Sequence, residues 1–297
     1  MILVVGGTGL LGRTLVPMLV DAGHSVRVMA RGVSQPFPDT ASDGVELLHG
    51  DLASEADCRR AAAGCAKVVF AASGFGVRDE DPRAVDRDGA IRLVRAAVEE
   101  GCEHLVMMSM HGASADAPIE YLRSKAAAEE FLRTCGAAWT VIRIGAILEQ
   151  RLTVITASLE AKDRVLVFGS GTAPVTYTAA RDAAALIVRA LSDSALRNRV
   201  IEWGSQTWTG GELAEAVLAR RGRGSTRRIP TAAQRLMSVA AKPISPFLAR
   251  MAEAGVWEES GAAAFDFAAG RAELGDIPIT GLTEALETIP SRGAQRG

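Results

Sequence analysis

Three residues of this chain stand at separations that suit proton transfer to an oxygen atom. Tyr121 and Lys125 are four positions apart, so on a helix their side chains share one face. A neighbouring ammonium group favours phenolate, so we expect Lys125 to lower the pKa of Tyr121 towards neutral pH. Ser109, twelve positions before Tyr121, can hold a substrate oxygen. The set predicts a catalytic Ser109, Tyr121 and Lys125 that protonate a carbonyl oxygen.

Simpler interpretations of these residues stay open at this point. The Tyr121 ring could cover a hydrophobic patch without acting as an acid. Lys125 could contact only the ribose of a nucleotide cofactor.

The chain begins with a short apolar strand that runs into a glycine-rich turn and a helix, MILVVGGTGLLG. Gly6 allows the tight turn, Gly9 lets the backbone approach a pyrophosphate, and Gly12 permits close contact between helix and strand. The free N–H groups of the first helical turn and the helix dipole complete an anion site. The pattern predicts a dinucleotide phosphate site around residues 6–12.

The end of the second predicted strand distinguishes NAD from NADP. NAD-binding proteins carry an acidic residue there for the ribose hydroxyls, but residues 29–32 read MARG and contain no carboxylate. Arg31 offers a planar guanidinium that suits the 2′-phosphate of NADP(H), although an ordinary surface arginine is the alternative. Asp51 is placed to meet the adenine edge. Small residues at 71–74, including Ser73, let the backbone pass close to the cofactor.

The elements that must position these residues alternate along the first half of the chain. Short apolar strands are predicted at 25–29, 45–49, 67–70, 105–108 and 139–142, and helices at 13–22, 54–63, 82–100 and 119–135. The second half is less regular, with strands at 165–168 and 200–203 and helices at 181–192 and 211–221. Its arginine-rich residues 220–228 are predicted to be a solvated connection. The alternation predicts an α/β fold, a Rossmann-type doubly wound parallel sheet with a smaller C-terminal substrate lobe.

We expect the chain to fold as a single integrated domain. Residues 1–150 would form the NAD(P)-binding Rossmann core, and residues 151–297 would add the remainder of the sheet and the C-terminal lobe. The cofactor should lie outside the carboxyl ends of the strands, with a small-molecule substrate between sheet and lobe.

Composition excludes several other classes of function. The 33 basic and 35 acidic residues give a net charge of −2, so nucleic acid is not an expected partner. The four cysteines and four histidines lack metal-ligand spacing, and no metal site is predicted. Neither a membrane span nor a signal peptide is evident. A cytoplasmic monomer or homodimer is expected.

These motifs resemble those of the atypical short-chain dehydrogenase/reductases, in particular the NmrA-like NAD(P)-binding family. The likeness is carried by GGTGLLG at 6–12, GDL at 50–52, the Y-x-x-x-K helix at 121–129, WTVIR at 139–143 and YTAARDAA at 177–184. It covers most of residues 1–220. One departure is Ile144, where the family often has proline. Many members of the family lack the tyrosine and act as redox sensors or use another acid, so the resemblance alone does not imply the chemistry of Ser109, Tyr121 and Lys125.

The resemblance implies which residues contact the cofactor. The backbone around Ile144 and Gly145 would pass the nicotinamide, and the cofactor is expected to be NADP(H). Together with Ser73, the full set of predicted cofactor contacts is Gly6, Thr8, Gly9, Leu10, Leu11, Arg31, Asp51, Leu52, Ala71, Ala72, Ser73, Lys125, Ile144 and Gly145.

The predicted function is that of an NADP(H)-dependent oxidoreductase. It would transfer hydride to a small or medium apolar carbonyl, quinone or enone, with Tyr121 as the proton donor. Two alternatives come from other classes. One is a non-catalytic NADP(H)-binding redox sensor, and the other is an epimerase-like or dehydratase-like enzyme that retains its cofactor through turnover.

Overall fold

The computed structural model describes residues 1–32 and 44–289. The chain forms two compact units. Unit 1 comprises Met1–Ile144 and Ala183–Trp203, and unit 2 comprises Gly145–Asp182 and the described residues from Gly204 onward.

Unit 1 is built on a seven-stranded sheet whose paired neighbours are all parallel. All four residues of its first strand are buried, as a parallel strand covered on both faces requires. The spatial order is β3-β2-β1-β4-β5-β6-β10, so the direction of winding reverses between β1 and β4. The strands are β1 (Ile2–Val5), β2 (Val26–Ala30), β3 (Val45–His49), β4 (Lys67–Phe70), β5 (His104–Met110), β6 (Ala138–Ile144) and β10 (Arg199–Trp203).

Helices flank this sheet and confirm the predicted Rossmann-type arrangement. Buried side chains of α2, α3 and α4 pack in one core with side chains of β1, β4 and β5. The predicted helix 82–100 begins with a π-helical segment, Arg83–Gly89, before it continues as α3. The helices are α1 (Leu10–Asp21), α2 (Glu55–Ala62), α3 (Ala90–Glu99), α4 (Glu120–Arg133) and α6 (Ala180–Ser192), of which α6 begins in unit 2.

Unit 2 contains two small sheets. Strand β9 pairs with β11 in antiparallel and with β7 in parallel orientation, and β12 pairs with β8 in parallel. Its strands are β7 (Ala146–Ile147), β8 (Arg164–Phe168), β9 (Pro174–Thr178), β11 (Gln206–Thr209) and β12 (Ser225–Ile229). Its helices are α5 (Leu148–Lys162), α7 (Gly210–Arg221), α8 (Thr231–Ala240), α9 (Pro246–Glu259), α10 (Ala268–Glu273) and α11 (Leu282–Glu287).

The prediction of a solvated connection over residues 220–228 was wrong in part. Helix α7 ends at Arg221, and Ser225–Ile229 forms a strand hydrogen-bonded to β8. Four of its five residues are exposed, so the strand lacks the apolar alternation by which strands are recognised in a sequence. Among the described residues, no helix is long and apolar enough to cross a bilayer.

Candidate functional site

The glycine turn follows β1 at the carboxyl end of the sheet. Gly6 has a φ of +94°, and a Cβ there would lie 2.5 Å from the Ala72 backbone nitrogen. A Cβ at Gly12 would lie 2.3 Å from the carbonyl oxygen of Gly6. The protein's own backbone therefore requires both glycines, one for the approach of residues 71–72 and one for the approach of α1.

Gly9 has a different environment. Its backbone is extended, and the nearest atom to a Cβ would be the Gly6 carbonyl oxygen at 3.3 Å. As the N-cap of α1 it makes no side-chain capping hydrogen bond, and the described first turn of α1 holds no acidic residue. A helix N-terminus that lacks both a side-chain cap and an acidic residue fits a pyrophosphate. Leu11 of this turn is buried, whereas Leu10 is exposed.

Lys125 lies on α4 as a buried cation. Its Nζ is 2.9 Å from Asp86 Oδ1 and donates to the Met108 carbonyl oxygen at 3.0 Å. The other oxygen of Asp86 accepts from the Gly74 amide at 2.9 Å. Burial alone would lower the pKa of Lys125, but the Asp86 carboxylate and the Tyr121 hydroxyl outweigh it and raise that pKa. The lysine therefore stays charged at neutral pH.

Tyr121 lies one turn before Lys125, as the spacing predicts. Lys125 Nζ is 5.8 Å from the centroid of its ring, and the ring stacks on Phe75 with 4.6 Å between centroids. The nearby Ser73 side chain acts on the phenol and slightly lowers the pKa of Tyr121. Burial raises the pKa of Tyr121, and Lys125 opposes this rise only in part. The expected lowering of this pKa was wrong, because burial of the phenol outweighs the effect of Lys125 and the Asp86 carboxylate adds to the rise.

Ser109 belongs to a different cluster of polar side chains. Its hydroxyl donates to Glu129 Oε1 at 2.5 Å, and Glu129 also binds Arg143 at 2.7 and 3.0 Å and Arg133 at 3.0 Å. Glu129 is buried, so these donors neutralise a carboxylate that has left water. The structure thus brings Tyr121 and Lys125 together with Ser73, while the Ser109 hydroxyl is bonded to Glu129.

Arg31 follows β2 directly and points a largely exposed guanidinium, with 57% of its side chain accessible, at Glu80. The two side chains form an ion pair. Asp51 makes local bonds, since its Oδ1 accepts from the Ala53 amide at 2.8 Å. Leu52 packs against the core formed by α2 and α3.

A family model described as NAD(P)H-binding matches residues 6–194, which include the glycine turn, Arg31, Tyr121 and Lys125. The chain belongs to this NAD(P)H-binding family. The match confirms the family and the class of cofactor to which the sequence motifs point.

Members of the family and proteins of the same fold are similar over most of the chain. An NAD(P)H azoreductase of Xenophilus azovorans is 31% identical over 75% of this chain and 74% of its own length. The photosystem II assembly factor Ycf39 of a Synechocystis strain is 26% identical over 80% of this chain and 72% of its own length. An NADPH-dependent quinone oxidoreductase of Escherichia coli, solved with NADPH, covers 97% of this chain and 99% of its own at 21% identity with a TM-score of 0.75.

The remaining predicted contacts of this NAD(P)H-binding chain lie where two segments leave the sheet. The Ala71 amide donates to the Val5 carbonyl oxygen at 2.8 Å, which holds residues 71–72 beside the glycine turn. Ile144 ends β6 and is buried. Gly145, the first residue of unit 2, is required there because a Cβ would lie 2.1 Å from the Thr176 carbonyl oxygen.

Three residues of the site were not singled out from the sequence: Asp86, Glu80 and Phe75. Asp86 is fully buried in a helix of mixed polarity, and a carboxylate on the inner face of a helix was the signal that could have identified it. Glu80 and Phe75 lie in a segment without helix or strand, where the spacing of residues does not indicate which way their side chains point.

Proposed function

We propose that this protein is an NADPH-dependent reductase of a small or medium apolar carbonyl, quinone or enone. The observation that carries the proposal is the Tyr121 ring beside the buried Lys125–Asp86 pair, in the same unit as the glycine turn. When bound, NADPH supplies the hydride. The name of the 31% identical azoreductase supports a reductase.

Tyr121 acts as the proton donor in this proposal. Its raised pKa keeps the phenol protonated at neutral pH, so a proton is available when a substrate carbonyl carbon accepts hydride. The carbonyl oxygen then takes the phenolic proton, and the product carries one new C–H and one new O–H bond. The Lys125 ammonium stabilises the phenolate left behind until solvent reprotonates it.

Ser73 is the hydroxyl that we assign to hold the substrate oxygen. The Phe75 ring stacks on Tyr121, and the Ser73 Oγ accepts from the Phe75 amide at 3.2 Å, so Ser73 is held near the phenol. The Phe75 amide occupies one lone pair of the Ser73 oxygen, and the Ser73 O–H can then donate to a substrate oxygen beside the phenol. The Ser109 hydroxyl, bonded to buried Glu129, has a structural role.

Lys125 and Arg31 are proposed to fix the two ends of NADPH. Lysine has three donors, and Asp86 and the Met108 carbonyl use two of those on Lys125, which leaves one for a ribose hydroxyl. Arg31 would bind the 2′-phosphate through its planar fork. Asp51, Leu52, Ala71, Ala72, Ile144 and Gly145 remain proposed cofactor contacts.

Residues 151–297 are proposed to supply the part of the protein that selects the substrate. Unit 2 contains a mainly apolar pocket of about 120 Å³. Arg151 and Glu258 on its wall form an ion pair, and the Tyr177 side chain lines the same pocket. Such a lining suits a small apolar molecule with one polar group.

The test follows NADPH consumption with an azo dye, a quinone, an enone and a simple ketone. For the substrate that is reduced, Tyr121→Phe should lower kcat about 100-fold or more, with the NADPH Kd within about twofold of wild type. An unchanged kcat would show that Tyr121 is not the acid.

A matched pair of serine variants tests the oxygen holder. Ser73→Ala should lower kcat clearly more than Ser109→Ala, whose main expected effect is a loss of stability at Glu129. If Ser109→Ala lowers kcat as much as Ser73→Ala, the assignment of Ser73 is wrong.

A second candidate is an NADP(H)-binding protein that acts through a partner rather than by catalysis. The 26% identical relative named as a photosystem II assembly factor favours it. Tight NADPH binding without consumption in the whole panel would support this candidate against the reductase.

A further inference from the structure

The segment of residues 71–82, which we call the crossing segment, spans the carboxyl edge of the sheet in unit 1. It leaves β4 after Phe70, and near its far end Glu80 pairs with Arg31, directly after β2. In the sheet order β1 lies between β4 and β2, so the two ends are two strand spacings apart, about 10 Å. The crossing segment therefore passes the end of β1, where the glycine turn begins.

Contacts along the crossing segment join it to each part of the proposed site. Its first residues lie against Gly6, where a Cβ would meet the Ala71 and Ala72 backbone at 2.5–2.7 Å. The Gly74 amide donates to Asp86, and Phe75 stacks on Tyr121. The near half is therefore fixed by the backbone and the buried pair, whereas the far half carries the ion pair with Arg31.

The Arg31–Glu80 pair is asymmetric in exposure. The Arg31 side chain is 57% accessible and that of Glu80 only 17%. Arg31 can thus be reached from solvent by another anion while its carboxylate partner is mostly covered. A phosphate dianion offers three acceptor oxygens and more charge than one carboxylate, so it competes effectively for a guanidinium.

The same carboxylate stands beside the end of β2, where NAD-binding proteins place their acidic residue. In those proteins the acidic side chain comes from β2 itself and accepts from the ribose hydroxyls. In this chain the position after β2 is Arg31, and the carboxylate reaches it from the crossing segment. An arginine that suits a 2′-phosphate and a carboxylate that suits a 2′-hydroxyl therefore lie side by side at the end of β2.

We propose that Glu80 is a specificity-determining residue that sets the preference between NADPH and NADH. With NADH, Glu80 keeps its ion pair with Arg31 and accepts from the ribose 2′-hydroxyl. With NADPH, the 2′-phosphate takes Arg31 from Glu80, and the repulsion between the two anions weakens NADPH binding. The inference rests on the proposed function in one respect, the binding of the 2′-phosphate by Arg31.

The experiment compares the Kd values of NADPH and NADH by calorimetric titration at one ionic strength, because exposed ion pairs are screened by salt. Glu80→Gln should lower the NADPH Kd and leave the NADH Kd equal or higher. The ratio of the NADH Kd to the NADPH Kd should rise about fivefold, the upper range for an exposed ion pair.

The matched control is Glu46→Gln. Glu46 pairs with Arg27 at 2.9 Å on the neighbouring strands β3 and β2, so it is also a carboxylate paired with an arginine of the β2 region. This variant should leave the Kd ratio unchanged. Thermal unfolding of each variant without cofactor checks that both are folded.

Arg31→Ala separates this inference from the proposed function. If it weakens NADPH binding but not NADH binding, and Glu80→Gln leaves the ratio unchanged, Glu80 has no role in selection and the cofactor assignment stands. If Arg31→Ala leaves NADPH binding unchanged, both the proposed role of Arg31 and the inference are overturned. A Glu80→Gln variant that tightens both cofactors equally would also overturn it, since Glu80 would then only hinder entry.

Discussion

Gly9 and Gly12 lie three residues apart in one turn, yet they are glycines for different reasons. At Gly12 a Cβ would collide with the Gly6 carbonyl oxygen at 2.3 Å and with the Gly7 backbone at 2.4 and 2.5 Å. At Gly9 the φ of −76° is open to any residue and the nearest atom would be at 3.3 Å. A Cβ at Gly9 would therefore make only one tight contact with protein, so the backbone of this chain does not by itself require glycine there, and we propose that the cofactor pyrophosphate does.

This difference predicts opposite outcomes for two alanine variants. Gly12→Ala should lower the free energy of unfolding by about 1–3 kcal/mol because the backbone must move apart. Gly9→Ala should change it by less than about 0.5 kcal/mol, but weaken NADPH binding about tenfold through the added methyl group. Urea unfolding without cofactor and NADPH titration measure the two effects. A Gly9→Ala variant that binds NADPH as wild type does would remove Gly9 from the phosphate site.

At the scale of elements, His104 joins two strands and the turn that leads to a third. Its Nε2 is 2.9 Å from the Thr140 hydroxyl, which itself donates to the Leu196 carbonyl oxygen at 2.8 Å. Nε2 therefore carries the proton, and Nδ1 has no hydrogen-bond partner among the described residues. Burial, aided by Arg197 and Lys67, lowers the pKa of His104 to about 4.

A lowered histidine pKa makes the fold less stable in acid. Between pH 6.5 and about 4 the unfolded chain binds a proton at His104 that the folded chain does not, so stability falls as the pH falls. The loss contributed by this group is about 3 kcal/mol. His104→Gln keeps an N–H donor for the Thr140 hydroxyl but cannot titrate in this range, so it should remove this part of the acid-induced loss of stability. The measurement is urea unfolding of both proteins at pH 7 and pH 4.

Comparison with the variant is needed because other groups titrate in the same range. Burial raises the pKa of Glu149 above 4.5, which contributes with the opposite sign. The carboxyl of Glu120, held by Arg83 and Arg123 at a pKa of about 2, contributes mainly below pH 4.5. If wild type and His104→Gln lose the same stability between pH 7 and 4, His104 is not the group responsible.

The elements of unit 1 could be predicted because their apolar periodicity reflects burial in a parallel sheet. The glycine turn and the Tyr121–Lys125 spacing were also readable, since local geometry determines them. Their partners Asp86, Glu80 and Phe75 could not be predicted, because tertiary folding of the crossing segment and of the helical segment after it brings them to the site. The sign of the Tyr121 pKa shift depends first on burial of the phenol and then on Asp86, neither of which the spacing of Tyr121 and Lys125 reveals, so the sequence prediction failed there.

At the scale of the whole molecule, the two units are interleaved along the chain. The backbone passes between them after Ile144, after Asp182 and after Trp203. The residues that complete unit 1, including β10, are therefore held at both ends by unit 2. Such a chain has no single cut that separates the units, and we expect it to unfold in one transition.

Cofactor binding should then stabilise the entire chain rather than the glycine turn alone. NADPH at 100 times its Kd adds about 2.7 kcal/mol to the free energy of unfolding, which corresponds to about 4 °C in Tm for a chain of 297 residues. Circular dichroism follows the helices of both units, and one transition should move as a whole. Gly9→Ala at the same NADPH concentration should shift less, because its site is proposed to bind NADPH more weakly. A melt in two steps, of which NADPH moves only one, would show that the units unfold independently despite their interleaved chain.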